Sequence, residues 1–163
     1  VDTPMGLPEL RADIFKKKLD GAELFVLDYL LLMTGFDKID ETERSAKLSG
    51  GIKQICKEVK IAGITVNSVT KDAMGDGIGT AVSSKQVRGS GQVIHDADLI
   101  AFLTVDEKVK MDKFTGYNLV FTKTRDVEMG RTKIPLFGEN DYPVFRDERE
   151  MTLMGISLRK VAL

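Results

Sequence analysis

An acidic residue at the end of an apolar run is the first candidate for chemistry. The run 24–27 holds four consecutive apolar residues and is followed directly by Asp28. This pattern is typical of a strand buried on both faces of a parallel sheet, and open α/β sheets bind ligands beyond the carboxyl ends of such strands. A carboxylate there suits Mg²⁺, which prefers oxygen ligands and often sits beside phosphates. The pattern alone leaves open that Asp28 only ends the strand.

Two further groups of polar residues follow apolar runs. Asn67 and Ser68 come after the run 61–66, and both side chains can hydrogen-bond a phosphate or a water molecule. Lys123 and Arg125 end a later run, where a guanidinium can donate two parallel hydrogen bonds to a phosphate. On spacing alone, solvated charges on a hairpin explain this second pair equally well.

The elements that must position these residues begin as alternating helices and strands. An amphipathic helix is predicted over 7–19. A polar stretch, 36–47, leads to a second helix whose apolar positions run from 48 to 59. The apolar run 61–66 follows directly. The order strand, helix, strand from residue 24 onward therefore predicts a crossover unit of a parallel sheet.

The second half of the chain reads as a long loop followed by strands. Residues 74–91 are rich in glycine and serine and predict a loop of unusual length. Residues 97–103 predict a third buried strand, and the charged stretch 106–113 reads as a connection. The later apolar runs predict a hairpin from 117–122 and 132–137 with its turn near Gly130, and a short edge strand at 142–146. Residues after 150 are left open between a strand and a docking tail.

The totals limit the classes of function. The chain has 24 basic and 25 acidic residues, a net charge of −1, so it lacks the overall positive charge of an avid nucleic-acid binder and any contact with DNA must be local. Its single cysteine, Cys56, excludes an internal disulfide and predicts a reducing, cytoplasmic location. No apolar run reaches the ~18 residues that a membrane span requires. We therefore expect no membrane partner.

Three motifs together resemble the DnaB-type replicative DNA helicases. Leu-Asp-Tyr-Leu-Leu-Leu-Met at 27–33 resembles the Walker-B segment of that family. Val-Arg-Gly-Ser-Gly at 87–91, followed by His-Asp-Ala-Asp-Leu-Ile at 95–100, resembles the loop that leads into the next core strand. Lys-Thr-Arg at 123–125, with Gly130 beyond it, is similar to the Lys-x-Arg element. The motifs follow one another in the family's order.

The resemblance implies an α/β fold of the RecA-like P-loop NTPase type. Residues 1–146 would form the C-terminal half of the motor domain, a mostly parallel sheet with helices on both faces and a C-terminal hairpin, and 147–163 would form a tail. No segment matches the phosphate-binding pattern G-x-x-x-x-G-K-[ST]. The P-loop part would then lie upstream of Val1, and we expect the chain to be a fragment or the ordered part of a longer protein.

The resemblance also assigns roles at the nucleotide. Asp28 would hold Mg²⁺ beside ATP, and Lys123 and Arg125 would form a finger that reaches the nucleotide of a neighbouring subunit. Asn67 and Ser68 occupy the positions where the family generally has serine and glutamine, which sense the γ-phosphate. Coupling of hydrolysis to movement is therefore expected to differ here.

DNA contacts are implied in the glycine-rich loop. Arg88, Gly89 and Gly91 would face a central channel and grip the backbone of single-stranded DNA, with Lys71 and Lys85 flanking the loop. The family usually carries an acidic residue where Gly89 stands.

The whole pattern predicts part of a ring-forming, ATP-driven helicase that translocates on single-stranded DNA. In this family the rings are hexamers that work with primase and a helicase loader. Two alternatives remain at this point. One is a non-catalytic half-domain that binds or regulates a helicase ring, and the other is a RecA-like recombinase-type ATPase.

Overall fold

The computed structural model describes residues 4–36, 38–68, 91–125, 133–142 and 144–154. These residues form two compact units, the first reaching Ala97 and the second starting at Asp98. Helices and strands occur in both units, so the predicted α/β class is confirmed. None of the helices in the described ranges is long and apolar enough to cross a bilayer.

The first unit packs helices against a pair of parallel strands. Its elements are α1 (Leu7–Leu19), β1 (Leu24–Leu27), a 3₁₀ turn (Leu30–Leu32), α2 (Glu41–Val59), β2 (Ala62–Thr65) and α3 (Gly91–Asp96). β1 and β2 pair in parallel, from Leu24 opposite Ala62 to Leu27 opposite Thr65. Helix 7–19 and the predicted crossover are therefore confirmed.

α2 begins earlier than its apolar positions suggest. The Asp40 side chain accepts hydrogen bonds from the backbone N–H groups of Thr42 at 2.8 Å and Glu43 at 3.0 Å, which satisfies two donors that a helix start leaves unpaired. The first three residues of α2, Glu41 to Glu43, are polar and exposed to solvent. Part of the polar stretch 36–47, from Glu41 onward, therefore belongs to the helix itself.

A glycine in the middle of α2 permits close approach of α1. A Cβ atom added at Gly51 would lie 2.4 Å from Leu7 Cδ1, well inside contact distance. A glycine inside a helix costs about 1 kcal/mol, and a larger residue at this position would require the Leu7 side chain to move.

Leu48, fully buried in the core of the first unit, is the position where truncation should cost most. We expect Leu48→Ala to lower the free energy of unfolding by about 2–5 kcal/mol, because the cavity adds to the lost burial. Lys47→Ala is the matched control, since the Lys47 ammonium pairs with Glu43 at 2.9 Å and lies 5.5 Å from the centroid of the Phe36 ring, and exposed contacts of this kind contribute little. Denaturant unfolding measures both variants, and equal stability of the two would contradict this packing.

One face of the parallel pair is open among the described residues. Leu24, Val26 and Ile64 are 50%, 62% and 51% exposed, and they share a face because β1 and β2 are in register. The other face packs against the helices, where Phe25 and Leu27 contact the core. The prediction that this strand is buried on both faces is therefore wrong for the described chain, because nothing described covers its second face.

The second unit is an antiparallel sheet with one helix. Its elements are β3 (Leu99–Met111), β4 (Phe114–Thr124), β5 (Lys133–Glu139), β6 (Phe145–Arg146) and α4 (Glu148–Leu153). The strands lie in the order β3, β4, β5, β6, and the predicted hairpin and edge strand are its last three members. The expectation of a mostly parallel sheet is wrong for the described strands, since only β1 and β2 pair in parallel. The predicted turn at Gly130 lies outside the described residues.

β3 includes most of the charged stretch 106–113, for which the sequence predicts a connection. Asn118, which is buried, donates through Nδ2 to Asp106 Oδ2 at 3.0 Å across the sheet. After an irregularity in register, β3 pairs again with β4 at Lys110 and Met111. The sequence also predicts that this strand is buried on both faces. That prediction is wrong for the described residues, since Leu99 and Leu103 are exposed. Hydropathy along the chain does not report such cross-strand partners.

Beyond β6, α4 (Glu148–Leu153) is a short docked helix. The Asp147 side chain accepts from the Glu150 backbone N–H at 2.8 Å, and the Glu150 side chain accepts from the Asp147 backbone N–H at 3.1 Å, which is a capping box. Met151 of α4 is fully buried and packs with Phe114 and Phe137. Of the two alternatives for the residues after 150, the described part is therefore a docked segment and not a strand.

Candidate functional site

Asp28 lies at the carboxyl edge of the parallel pair. The Val66 backbone N–H donates to the Leu27 carbonyl at 2.9 Å, and the Leu30 N–H donates to the Val66 carbonyl at 3.2 Å, so main-chain pairing continues past the last residues of both strands. The Asp28 side chain is exposed at this edge. Asn67 directly follows Val66 on the chain that leaves β2, and it therefore lies at the same sheet edge as Asp28.

Asn67 and Ser68 complete this edge. The Ser68 backbone N–H donates to Asn67 Oδ1 at 3.0 Å, so the Asn67 side chain is tethered and can address a phosphate only through its amide nitrogen. The Ser68 hydroxyl is buried, and the described residues provide no hydrogen-bond partner for its Oγ. The structure thus brings Asp28, Asn67 and Ser68 to one sheet edge. Their roles there remain predictions.

An arginine of α2 holds the turn that follows Asp28. Arg44 Nη2 donates to the Leu31 carbonyl at 3.3 Å and also to the Met33 carbonyl. Leu30 in the same turn is buried, so the segment is fixed by both packing and hydrogen bonds. Sequence reasoning missed Arg44 because it reads as one of several ordinary charges on an amphipathic helix.

The edge fits Mg²⁺ held together with a nucleotide. Mg²⁺ usually keeps several waters and binds proteins through one or two carboxylates plus substrate phosphates. Asp28 offers one exposed carboxylate, and within the described ranges it belongs to no group of three or more His, Cys, Asp or Glu residues. The donor set therefore suits a phosphate-bound Mg²⁺ better than a metal caged by protein ligands alone.

The Lys-x-Arg pair ends β4 in the second unit. Lys123 is half-buried and lies opposite Ile100 of β3, whereas Arg125 is exposed one residue beyond the strand. The Arg125 backbone N–H donates to the Asp98 carbonyl at 2.7 Å, and Arg125 Nη1 donates to Asp98 Oδ1 at 2.9 Å. The predicted finger residue thus has a carboxylate partner that sequence reasoning did not assign to it.

Most of the predicted DNA-binding residues lie outside the described part of the chain: Arg88, Gly89, Lys71 and Lys85. Gly91 is described, and it is the exposed first residue of α3 rather than a loop residue. α3 is attached to α2, because Ser49 Oγ donates to Asp96 Oδ2 at 2.9 Å. Gln92 Nε2 donates to the other carboxylate oxygen of Asp96 at 2.7 Å. The segment that follows the glycine-rich stretch is therefore fixed to the first unit.

The fold is RecA-like. The chain superposes on a solved ATPase domain with a TM-score of 0.74 and 19% identity, covering 88% of this chain and 52% of that one. It superposes equally well, at a TM-score of 0.74 and 19% identity, on a structure described as a DnaB-like replicative helicase and its interactions with primase. That superposition covers 87% of this chain and 36% of the other.

Residues 2–146 match the family model of the DnaB-like helicase C terminal domain, and the chain belongs to that family. It is 24% identical over 144 residues to the replicative DNA helicase DnaB of Geobacillus stearothermophilus, covering 85% of this chain and 32% of that protein. It is 27% identical over 141 residues to the replicative DNA helicase DnaB of Pasteurella multocida (strain Pm70), covering 84% of this chain and 30% of that protein. The chain thus spans about a third of the length of these relatives, and the predicted resemblance is confirmed.

Proposed function

We propose that this chain is the C-terminal half of the motor domain of a ring-forming, ATP-dependent replicative DNA helicase. The observation that carries the proposal is the placing of Asp28, Asn67 and Ser68 at one carboxyl edge of β1 and β2. Ligands of open α/β folds bind at such an edge. Membership in the DnaB-like family supports the choice of ATP as the ligand and of DNA unwinding as the activity.

At this edge the chain's own residues orient a nucleotide. Bound Mg²⁺ supplies charge neutralisation on the phosphates during transfer. Asp28 would hold that ion directly or through a water molecule. The Ser68 hydroxyl, buried without a described partner, would gain a hydrogen bond when a phosphate or ordered water arrives. Asn67 would donate to a phosphate through its amide nitrogen, while its oxygen accepts from the Ser68 backbone N–H.

The finger would act on a second nucleotide. Arg125 lies on the exposed end of β4, and an arginine that donates to a transferring phosphoryl group contributes about 10³–10⁵-fold to rates in other phosphate-transfer enzymes. Lys123 would add a second positive charge nearby. A finger supplied to a neighbouring subunit requires a head-to-tail ring, which we propose to be a hexamer.

Single-stranded DNA would pass through the channel of this ring. The proposed grip consists of Arg88, Gly89 and Gly91, with Lys71 and Lys85 beside them, and it would contact phosphates without reading bases. A primase and a helicase loader are the proposed protein partners, and one structural neighbour was solved for its interactions with primase. A net charge of −1 favours many local grips around a ring over one strongly basic surface.

The open face of the parallel pair supports placing the phosphate-binding loop in a preceding half of the motor. Parallel sheets are normally covered on both faces, and Leu24, Val26 and Ile64 are exposed here. The relatives are about three times as long as the matched region, so there is room for such a half in proteins of this family.

The test of this function is ATP hydrolysis and strand separation by the longest natural form of the protein. We expect hydrolysis to require Mg²⁺ and to rise when single-stranded DNA is added, and we expect a forked duplex to be unwound. A form that assembles into rings yet hydrolyses no ATP would contradict the motor. The non-catalytic half-domain would then account for the chain.

A further inference from the structure

The side chain of Arg125 is held by a carboxylate from the neighbouring strand. Asp98 immediately precedes β3 and Arg125 immediately follows β4, and the last paired residues, Leu99 and Thr124, bring them side by side. Two bonds join them, backbone to backbone at 2.7 Å and Nη1 to Oδ1 at 2.9 Å. The pair is therefore the final rung of the β3–β4 ladder.

Exposure separates this pair from the other arginine pair of the sheet. The Arg125 and Asp98 side chains are 38% and 61% exposed, whereas those of Arg146 and Glu139 are 29% and 20% exposed. An ion pair that water reaches so easily contributes little to stability. Stabilisation of the fold is thus a weak explanation for the ion pair between Asp98 and Arg125.

We propose that Asp98 is a positioning residue that orders the Arg125 guanidinium before it engages a phosphate. This inference rests on the proposed function of Arg125. A guanidinium carries five N–H donors in a rigid fork, so it can bind a carboxylate and a phosphate at the same time. One bond to Asp98 fixes the direction of the fork.

The physical benefit is entropic. An arginine side chain loses much rotamer freedom when it is immobilised, and a finger that is already held loses less of it on reaching the phosphate. Misplacement of a charged group by a small distance is expensive in catalysis, because the group must meet charge that develops only in the transition state. Loss of Asp98 should therefore slow turnover without weakening nucleotide binding.

The test uses the ring-forming natural protein and steady-state ATP hydrolysis with saturating single-stranded DNA. We expect Asp98→Ala to lower kcat by roughly tenfold with KM unchanged, since the bound nucleotide is held mainly by the other subunit. Asp98→Asn keeps an acceptor of the same shape and should recover part of the loss. In an Arg125→Ala background, Asp98→Ala should cause no further loss, because the two residues act as one unit.

A matched control comes from the other pair. Glu139 Oε1 accepts from Arg146 Nε at 2.6 Å, so Glu139→Ala removes the carboxylate partner of another arginine in the same sheet, and it should leave kcat unaltered. Unchanged kcat in Asp98→Ala, while Arg125→Ala is inactive, would overturn this inference and leave the proposed function standing. A raised KM with normal kcat, or an added loss in the double variant, would also overturn it. Normal turnover of Arg125→Ala would overturn both the finger and the role of Asp98.

Discussion

Arg125→Ala should reduce DNA-stimulated ATP hydrolysis by about 10³-fold or more while rings still assemble. The reason is electrostatic, because the proposed finger would offset negative charge that grows on the phosphoryl oxygens during transfer. Arg125→Lys keeps the charge but loses the planar fork, and we expect it to recover only part of the rate. Turnover is measured on assembled protein, with ring formation checked by sedimentation.

Arg146→Ala is the matched control for this prediction, since it removes a second arginine from the same sheet and should leave turnover nearly normal. Subunit mixing tests whether the finger acts between subunits. Rings of Arg125→Ala and Asp28→Asn subunits, each inactive alone, should recover about a quarter of the wild-type rate, because random mixing makes about one interface in four intact. Absence of any recovery in mixed rings would contradict a finger that acts in trans.

Asp28→Asn should reduce hydrolysis by about 100-fold or more. The substitution keeps the size of the side chain but removes the negative charge that we propose to hold Mg²⁺, and a metal ion contributes several kcal/mol at a phosphoryl transition state. About 1.4 kcal/mol corresponds to each tenfold change in rate. The rate should be measured across a series of Mg²⁺ concentrations, where we expect the variant to need more Mg²⁺.

Asp20→Asn is the control for Asp28→Asn. Asp20 is an exposed aspartate that follows α1 and precedes the amino end of β1, away from the carboxyl edge. The Asp20→Asn variant should hydrolyse ATP at the normal rate and with the normal Mg²⁺ requirement. If Asp28→Asn behaved like this control, the metal would have to be bound elsewhere and the proposed nucleotide edge would be wrong.

Local patterns in the sequence determined a good part of this protein. The apolar spacing of residues 7–19 and the run ending at Asp28 depend only on near neighbours, so the helix, the parallel pair and the edge that carries Asp28 were predictable. The order of three short motifs identified the family, since each motif is contiguous in the chain. The roles of Lys123 and Arg125 rest on that likeness and stay predictions.

Other features were decided by contacts between residues that are distant in the chain. The Leu7 side chain occupies the space beside Gly51 of α2, and the charged stretch around Asp106 pairs with β4, where Asn118 donates to Asp106. Asp98 reaches Arg125 only because two strands pair antiparallel. A sequence pattern reports the hydropathy of each position, but a hydrogen bond or a close packing contact exists only when the fold brings two particular residues together. For that reason the tertiary structure alone supplied the partner of the proposed finger.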